Sequence, residues 1–282
     1  MSQRQYHYFI AGLPELSFDA QKVWVSLVEF KEMLEEHLHP EDFEQVKYIF
    51  LREDHKNLVQ FIAGGEEEPG EGGNYSAEDF KSELSAILPE EHVLPGYMAG
   101  LLQRNEEGEE ELDQVTCSQE LADGYYRFIM EHGSDFLRDY TEIEYDMANL
   151  LTYLKTEHHG LDKGKYLAGD SGHAHHLRRH LKKSLVKDPE FEYFDEVVGA
   201  LSLATYEEAE QKLDLLKWKL IDDRIFFEQF TLDWILGYLE KLIIAERWAG
   251  LKKKAGEEKL RGMIEEVQDE AARQWESLNR EA

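Results

Sequence analysis

Apolar residues recur every three or four positions along much of this chain. Residues at this spacing lie on one face of an α-helix, so the pattern predicts long amphipathic helices. Two stripes are the clearest. Between Phe230 and Trp248 the apolar positions are Leu232, Ile235, Leu236, Leu239, Leu242 and Ile243. From about Asp135 to Glu157 they include Tyr140, Ile143, Met147, Leu150, Leu151 and Leu154.

Weaker patterns of the same kind predict helices along most of the remaining chain. They cover Phe18 to Leu38, a segment from Pro40, Ser76 to near Pro89, Ser118 to His132, Ala174 to Lys187, Phe191 to Leu201, Tyr206 to Phe227 and Glu257 to Asn279. The opening run, Tyr6 to Pro14, has no helical period and predicts a short extended segment, either strand or coil. The expected fold class is therefore all-α, an elongated multi-helix bundle with a short N-terminal extended segment.

The organisation along the chain favours a single helical domain over residues 1–282, with a division into two lobes, 1–115 and 116–282, left open. Ala63 to Ser76 is rich in glycine and glutamate and predicts a mobile surface loop, and Asn105 to Gln114 predicts a second acidic loop. Residues 147–154 align with 232–239 at an offset of 85 positions. Repeated helical units are one explanation, and chance alignment of two amphipathic helices is the other.

Charge and composition narrow the function classes. Sixty acidic against 31 basic residues give a net charge of -29, which repels nucleic-acid backbones and anionic lipid surfaces. Neither DNA nor RNA is an expected partner. Charged residues interrupt the most apolar stretch, Phe226 to Ala245, so direct membrane insertion is not expected. With Cys117 as the single cysteine and no secretory signal at the start, we expect a cytoplasmic protein.

Six of the 12 histidines lie between His158 and His180. Among them, His176 and His180 are one helical turn apart, a spacing at which two imidazoles can share a metal ion. However, no carboxylate lies between Ser171 and Lys187, and several cations surround the pair. That positive field opposes a bound cation, so a basic surface helix is the favoured interpretation and a metal site is the alternative.

This helix is the one strongly basic patch in an acidic chain. It is therefore the candidate partner-binding surface, with the alternative that its cations pair with glutamates of the same chain. The residues of this surface are His176, Arg178, Arg179, Lys182 and Lys183.

Motifs of known enzymes are not found in the sequence, which has no H-E-x-x-H, G-x-S-x-G or G-x-G-x-x-G. We therefore expect no enzyme activity and no cofactor. Two acids, Glu144 and Glu246, lie on the apolar stripes and are expected to face protein. A buried acid needs a partner, so each is predicted to be a structural acid paired with an Arg or Lys; a proton-handling role in a cleft is the alternative.

The helices that carry these acids resemble those of the central-stalk C (or d) subunit of rotary V-type and A-type ATPases. In that family an apolar-Tyr-Leu helix carries a Glu followed by an Asn and an Arg. Glu144 and Asn149 match part of the motif, whereas Trp248 and Gly250 stand where Asn and Arg are expected in the second helix. The run Tyr6 to Pro14 more closely resembles a bacterial family of unassigned function whose genes accompany V-type ATPase subunits.

The resemblance implies a non-catalytic, C/d-like central-stalk subunit that links the rotor ring to the central shaft of a V/A-type ATPase. Its partners would be those subunits, and it would lie in the cytoplasm, peripheral to the membrane through them. Two alternatives stay open. One is a metal-dependent hydrolase that uses the His158 to His180 cluster, and the other is a free scaffold protein.

Overall fold

The computed structural model describes residues 4–64, 70, 72–86, 88, 91–108, 113–160, 162–182, 185–203 and 205–253. Regular structure in these ranges is helical and includes no strand, which confirms the predicted all-α class. The helices are α1 (His7–Ala11), α2 (Leu27–His37), α3 (Pro40–Ile62), α4 (Ala77–Ser85), α5 (Gly96–Glu107), α6 (Gln114–His132), α7 (Asp135–His159), α8 (Gly172–Arg179), α9 (Phe194–Leu201), α10 (Tyr206–Ile225) and α11 (232–253), with a 3-10 turn at Lys163–Tyr166.

Side-chain caps determine where many of these helices begin. Ser26, Ser76 and Thr205 each accept a hydrogen bond from the third residue of the following helix, and the acid at that position bonds back to the cap residue. This exchange satisfies amides that have no partner within the helix. At the other end, Gly108 and Gly160 adopt the left-handed conformation, at φ of 66° and 68°, and terminate α5 and α7.

A large hydrophobic cluster occupies the centre of the elongated bundle. It combines side chains of α2, α3, α5, α6 and α11 with the first turns of α7. Leu236 and Leu239 of the predicted α11 stripe are fully buried in it. Each buried side chain of this size contributes about 1.5–3 kcal/mol, so this cluster is the main source of stability. Other fully buried members are Phe30, Leu34, Val46, Leu58, Met98 and Ile129.

A smaller hydrophobic cluster lies beside the C-terminal half of α7. Met147, Leu150 and Tyr153 of that helix pack there against Leu177 of α8 and Val197 of α9. The two clusters do not divide the chain at residue 115, because the larger one draws on helices from both sides of that position.

Two helices run through both clusters. Tyr140 of α7 belongs to the larger cluster, and Met147, two turns later, belongs to the smaller one. On α10 the consecutive residues Leu220 and Ile221 are buried in the smaller and the larger cluster respectively. Continuous helices therefore join the two parts of the core.

The N-terminal segment is helical, so the predicted extended segment is wrong for His7–Ala11. The amide of Ile10 donates to the carbonyl of Tyr6 at 3.0 Å, and the amide of Tyr6 donates to the carbonyl of Phe230 at 2.7 Å. Ile10 lies in this short helix, and its side chain is buried in the larger hydrophobic cluster. A helix of five residues is too short to show a period of three to four, which explains the incorrect prediction.

Several predicted helices are shorter than their pattern indicated, among them α4, which ends at Ser85 and not near Pro89. Helix α2 begins at Leu27 and not near Phe18, because Ser26 caps it. Phe18 lies before the helix, and its side chain is nevertheless buried. Helix α8 ends at Arg179 and not at Lys187, and the amide of the cap residue His180 donates to the carbonyl of Leu177 in a tighter final turn. Helix α9 begins at Phe194 rather than Phe191. Apolar residues in turns thus extended the predicted helices beyond their ends.

Part of the glycine-rich stretch between α3 and α4 is fixed to α3, contrary to the predicted mobile loop. The buried carboxylate of Asp54 accepts from the amides of Asn74, at 2.6 Å, and Tyr75, at 3.0 Å. The Asn57 side chain exchanges two hydrogen bonds with the backbone of Gly70. Composition alone does not reveal these acceptors on the preceding helix. Residues 65–69 and 71, residues 109–112 of the second acidic loop, and the predicted helix Glu257 to Asn279 lie outside the described residues.

Among the helices described above, none is both long enough and apolar enough to span a bilayer.

Candidate functional site

The structure separates the five residues predicted to form a basic partner-binding surface. Arg178 is used internally, since its Nη2 donates to two backbone carbonyls of the preceding loop at 2.7 and 3.2 Å. The Nε2 atom of His176 lies 2.8 Å from a backbone carbonyl. Arg179 and Lys182 are exposed, whereas Lys183 lies outside the described residues. Among the described members of the five, the cations presented to solvent are therefore Arg179 and Lys182.

A shallow depression of about 540 Å³ adjoins Arg179. Its rim carries both signs of charge, because an acid stands opposite the arginines. An open depression of this kind suits a protein contact better than a small molecule, which binds in enclosed clefts. The lining residues are Gly172, His175, Arg178, Arg179 and Glu190.

The predicted histidine cluster is held by hydrogen bonds to protein. His173 is buried, with Nδ1 2.9 Å from the carboxylate of Asp188, and burial lowers its pKa although Asp188 acts to raise it. The rings of His176 and His180 lie 4.4 Å apart, and one nitrogen of each contacts a backbone carbonyl at 2.8 Å. Within the described ranges, no three His, Cys, Asp or Glu side chains are grouped to hold a metal ion. The structure describes the backbone of His158 and His159 at the end of α7 but not their side chains.

A buried carboxylate supports the start of α8. Asp146 of α7 accepts a hydrogen bond from the hydroxyl of Ser171, and Ser171 in turn caps α8 by accepting from the amide of Ala174. Burial raises the pKa of Asp146 to about 7, against the effect of the Ser171 hydroxyl. This side chain joins α7 to α8 next to the smaller hydrophobic cluster.

The central charged group of the bundle is a four-residue ionic cluster, Arg52, Glu144, Lys217 and Glu240, with one member from each of α3, α7, α10 and α11. Arg52 donates to Glu144 at 3.1 Å and to Glu240 at 2.5 Å, and Lys217 donates to Glu144 at 2.7 Å. The predicted structural acid Glu144 thus contacts two cations. The cluster connects four helices that are distant in sequence.

The pKa values of the two carboxylates in the ionic cluster are shifted in opposite directions. Burial acts to raise the pKa of Glu144, but Lys217 and Arg52 outweigh burial and hold that pKa at about 2. Glu240 is more deeply buried, and burial raises its pKa despite the nearby Arg52. Glu144 is therefore the acid whose charge the fold stabilises.

The second predicted acid, Glu246, is bound differently. Its carboxylate accepts from the backbone amide of Leu27 at 3.2 Å, at the first turn of α2, where an anion is favoured by the helix dipole. Burial raises the pKa of this group. A backbone amide thus takes the place of the expected Arg or Lys. The neighbouring Arg247 and Trp248 instead bind Asp214 of α10, at 2.6 and 2.9 Å.

Asn149, which matches part of the ATPase motif, bonds α7 to the loop that follows it. Its side-chain amide donates to the carbonyl of Ala168 at 2.7 Å, and its oxygen accepts from the amide of the same residue at 2.9 Å. Both groups are buried. The paired bonds fix the loop that leads from α7 to α8.

Two further buried acids, Asp54 and Glu240, are not among the predicted sites, although the sequence carries a signal for both. Asp54 lies four residues from both Phe50 and Leu58, and Glu240 lies four residues from Leu236, so each is on an apolar stripe. The criterion that identified Glu144 would therefore have found both. The partners could not be found in this way, because Arg52 and Glu240 are 188 positions apart.

A comparison with protein families identifies a match over most of the chain. The model of a family described as "Protein of unknown function (DUF2764)" matches residues 1–271. No curated protein matches the chain.

Proposed function

The chain belongs to the DUF2764 family, and on this premise we propose that it is a non-catalytic subunit of a rotary V/A-type ATPase. In this proposal it acts as a C/d-like central-stalk component that links the rotor ring to the central shaft. It would be cytoplasmic and peripheral to the membrane through those partners. The family description assigns no function, so the proposal depends on the residues themselves.

The observation that carries the proposal is the use of buried charge to connect helices. Arg52, Lys217 and the two acids that they bind join α3, α7, α10 and α11. Buried ion pairs of this kind require precise positions of all their members and resist displacement of one helix against another. A part that transmits force between two other subunits needs such resistance to deformation.

The sequence resemblance supports the same proposal. Glu144 and Asn149 are the residues that match the C/d-type motif, and each bonds α7 to another segment of the chain. A motif whose members hold the fold together is compatible with a mechanical role and requires no chemical step.

The proposed contact surface consists of Arg179 and Lys182, beside the depression at α8. Solvent-exposed cations on a chain of net charge -29 favour an acidic surface on the partner. Arg178 is excluded from this surface because it binds backbone carbonyls of its own chain. The surface is therefore narrower than the sequence suggested.

Binding to purified V/A-type ATPase subunits tests the proposal. The full chain is expected to bind the rotor ring or the central shaft, and the variant Arg179→Glu with Lys182→Glu is expected to bind more weakly without loss of helicity. A matched control is Lys56→Glu with Lys219→Glu, which reverses two exposed lysines elsewhere. Failure of the wild-type chain to bind any of these subunits would contradict the proposed function.

The same preparation separates the alternatives. Elemental analysis of protein purified without chelator would support the metal-dependent hydrolase if it found one transition-metal ion per chain. Stable binding to an unrelated protein, with no binding to ATPase subunits, would support a free scaffold protein.

A further inference from the structure

Three exposed aromatic side chains lie on the turn between α10 and α11 and on α1, whose preceding residue Tyr6 is bonded to that turn. Phe226 and Phe227 are 65% and 87% exposed, and Tyr8 of the adjoining α1 is 98% exposed. The two phenylalanine rings lie 4.8 Å apart, edge to face. We refer to Tyr8, Phe226 and Phe227 as the aromatic end. Adjacent exposed aromatics are unusual on a free surface and are enriched in the central contacts of protein interfaces.

The backbone that presents the aromatic end is held in an unusual conformation. Phe230 has φ of 66°, in the left-handed region that a bulky residue rarely adopts. Its carbonyl accepts from the amide of Tyr6 at 2.7 Å, and its ring lies 4.4 Å from the ring of His7. The amide of Thr231 closes the turn on the carbonyl of Glu228. These contacts fix α1 against the turn, so the aromatic end is preorganised for binding.

Acidic residues flank the two phenylalanines in the sequence, and the intervening Arg224 is paired with Asp139. Asp222 and Asp223 precede the phenylalanines, and Glu228 follows them. Asp222 is paired with Lys241, whereas Asp223 is exposed on α10. An anionic lipid surface would be repelled by this arrangement and by the overall charge of -29. A protein recess with an apolar floor and a basic rim complements it in both shape and charge.

We propose that the aromatic end inserts into such a recess, with an apolar floor and a basic rim, on another subunit of the V/A-type ATPase. This inference rests on the proposed function. It assigns a second contact, because α8 offers cations to an acidic surface whereas the aromatic end offers apolar rings and acids to a basic one. Two contacts of opposite charge suit a component that lies between two different subunits.

The test uses the full chain and separately purified ATPase rotor-ring and central-shaft subunits. The variant Phe226→Ser with Phe227→Ser is expected to weaken binding to one of these subunits by at least about tenfold. Binding to the subunit recognised by α8 should be unchanged. The control variant Val115→Ser with Tyr206→Ser removes a 48% and a 67% exposed side chain elsewhere and is expected to bind like wild type. Circular dichroism and thermal unfolding establish that each variant is folded.

Charge complementarity is tested separately with Asp223→Lys combined with Glu228→Lys. This variant is expected to associate more slowly, and the loss should diminish at high salt, since screening weakens steering between opposite charges. Equal association rates for wild type and this variant would refute the basic rim.

The possible results distinguish the inference from the proposed function. If the wild-type chain binds no ATPase subunit, the proposed function fails. If it binds and the double serine variant binds equally well, only the aromatic end is refuted. Two further results would refute the subunit recess: wild-type self-association in analytical ultracentrifugation that the serine variant abolishes, and wild-type binding to anionic phospholipid vesicles with the same dependence.

Discussion

Arg52 of α3 and Glu240 of α11 form an ion pair whose carboxylate side chain is only 4% exposed. The two residues are 188 positions apart in the sequence. The guanidinium group also binds Glu144, so a single arginine bridges two acids from different helices. Removal of Arg52 would take away the guanidinium that binds Glu240 and would leave Glu144 bound to Lys217.

The first prediction concerns that arginine. Arg52→Met is expected to lower the free energy of unfolding by about 3–5 kcal/mol, because it leaves a buried carboxylate without its cation. Urea denaturation at pH 7 measures the change. The matched control Lys56→Met, on the same helix and 68% exposed, should change it by less than about 0.5 kcal/mol. Similar stabilities for the two variants would show that the ionic cluster does not stabilise the fold.

The second prediction concerns the pH dependence that Glu144 confers. Its pKa is about 2 in the folded chain and 4.5 without the fold, so its charge contributes stability above pH 4.5, and this contribution disappears as the pH falls towards 2. The free energy of unfolding of wild type should exceed that of Glu144→Gln by roughly 3 kcal/mol at pH 7, and the difference should narrow below pH 4.5. Denaturation curves from pH 7 to pH 2 give the difference. A constant gap between the two proteins would contradict the assignment.

The third prediction has the opposite sign. The pKa of Asp146 is raised from 3.8 to about 7, so the folded state favours the protonated form, and stability is lost as the pH rises between these values. Asp146→Asn keeps a side chain that can bond Ser171 but cannot ionise. It should be more stable than wild type at pH 8, by on the order of 4 kcal/mol, and similar to it at pH 4.

Unfolding by urea at several pH values, compared with the exposed control Glu192→Gln, tests this expectation. The carboxyl resonance of Asp146 in NMR gives the pKa directly. A midpoint near 4 in that titration would refute the effect of burial.

The fourth prediction concerns close packing between α5 and α6. A Cβ on Gly124 would lie 2.4 Å from the ring of Tyr97, so Gly124→Ala should lower the free energy of unfolding by about 1–3 kcal/mol. Gly100 has no atom within 4 Å of the corresponding position. Gly100→Ala should therefore raise stability by about 0.5–1 kcal/mol through its helix propensity. Thermal unfolding that ranks the two variants in the reverse order would contradict the described contact.

Much of the fold could be predicted from local patterns. The α11 stripe and the span of α7 follow from apolar spacing, and the start of α4 follows from Ser76 and the acid three residues later. These features are encoded by residues within one or two turns of one another. The helix ends at Leu27 and Arg179 could not be predicted in this way, because apolar residues in adjoining turns continue the pattern.

The chemistry of the buried groups could be predicted only in part. The position of Glu144 on an apolar stripe indicated a protein-facing acid, but its two cations come from α3 and α10. The partner of Glu246 is a backbone amide, which no residue-type pattern reveals. Likewise, the internal hydrogen bonds of Arg178 depend on where the preceding loop lies, so the sequence could not separate it from Arg179.

The consecutive residues Leu220 and Ile221 give α10 a further property. Each packs in a different hydrophobic cluster, so α10 cannot leave one cluster while it stays packed in the other. If one cluster unfolds, the other loses the α10 side chains that cover it and becomes exposed to water. The described helices should therefore denature in one cooperative step, with amide exchange in α7 and α10 governed by global unfolding.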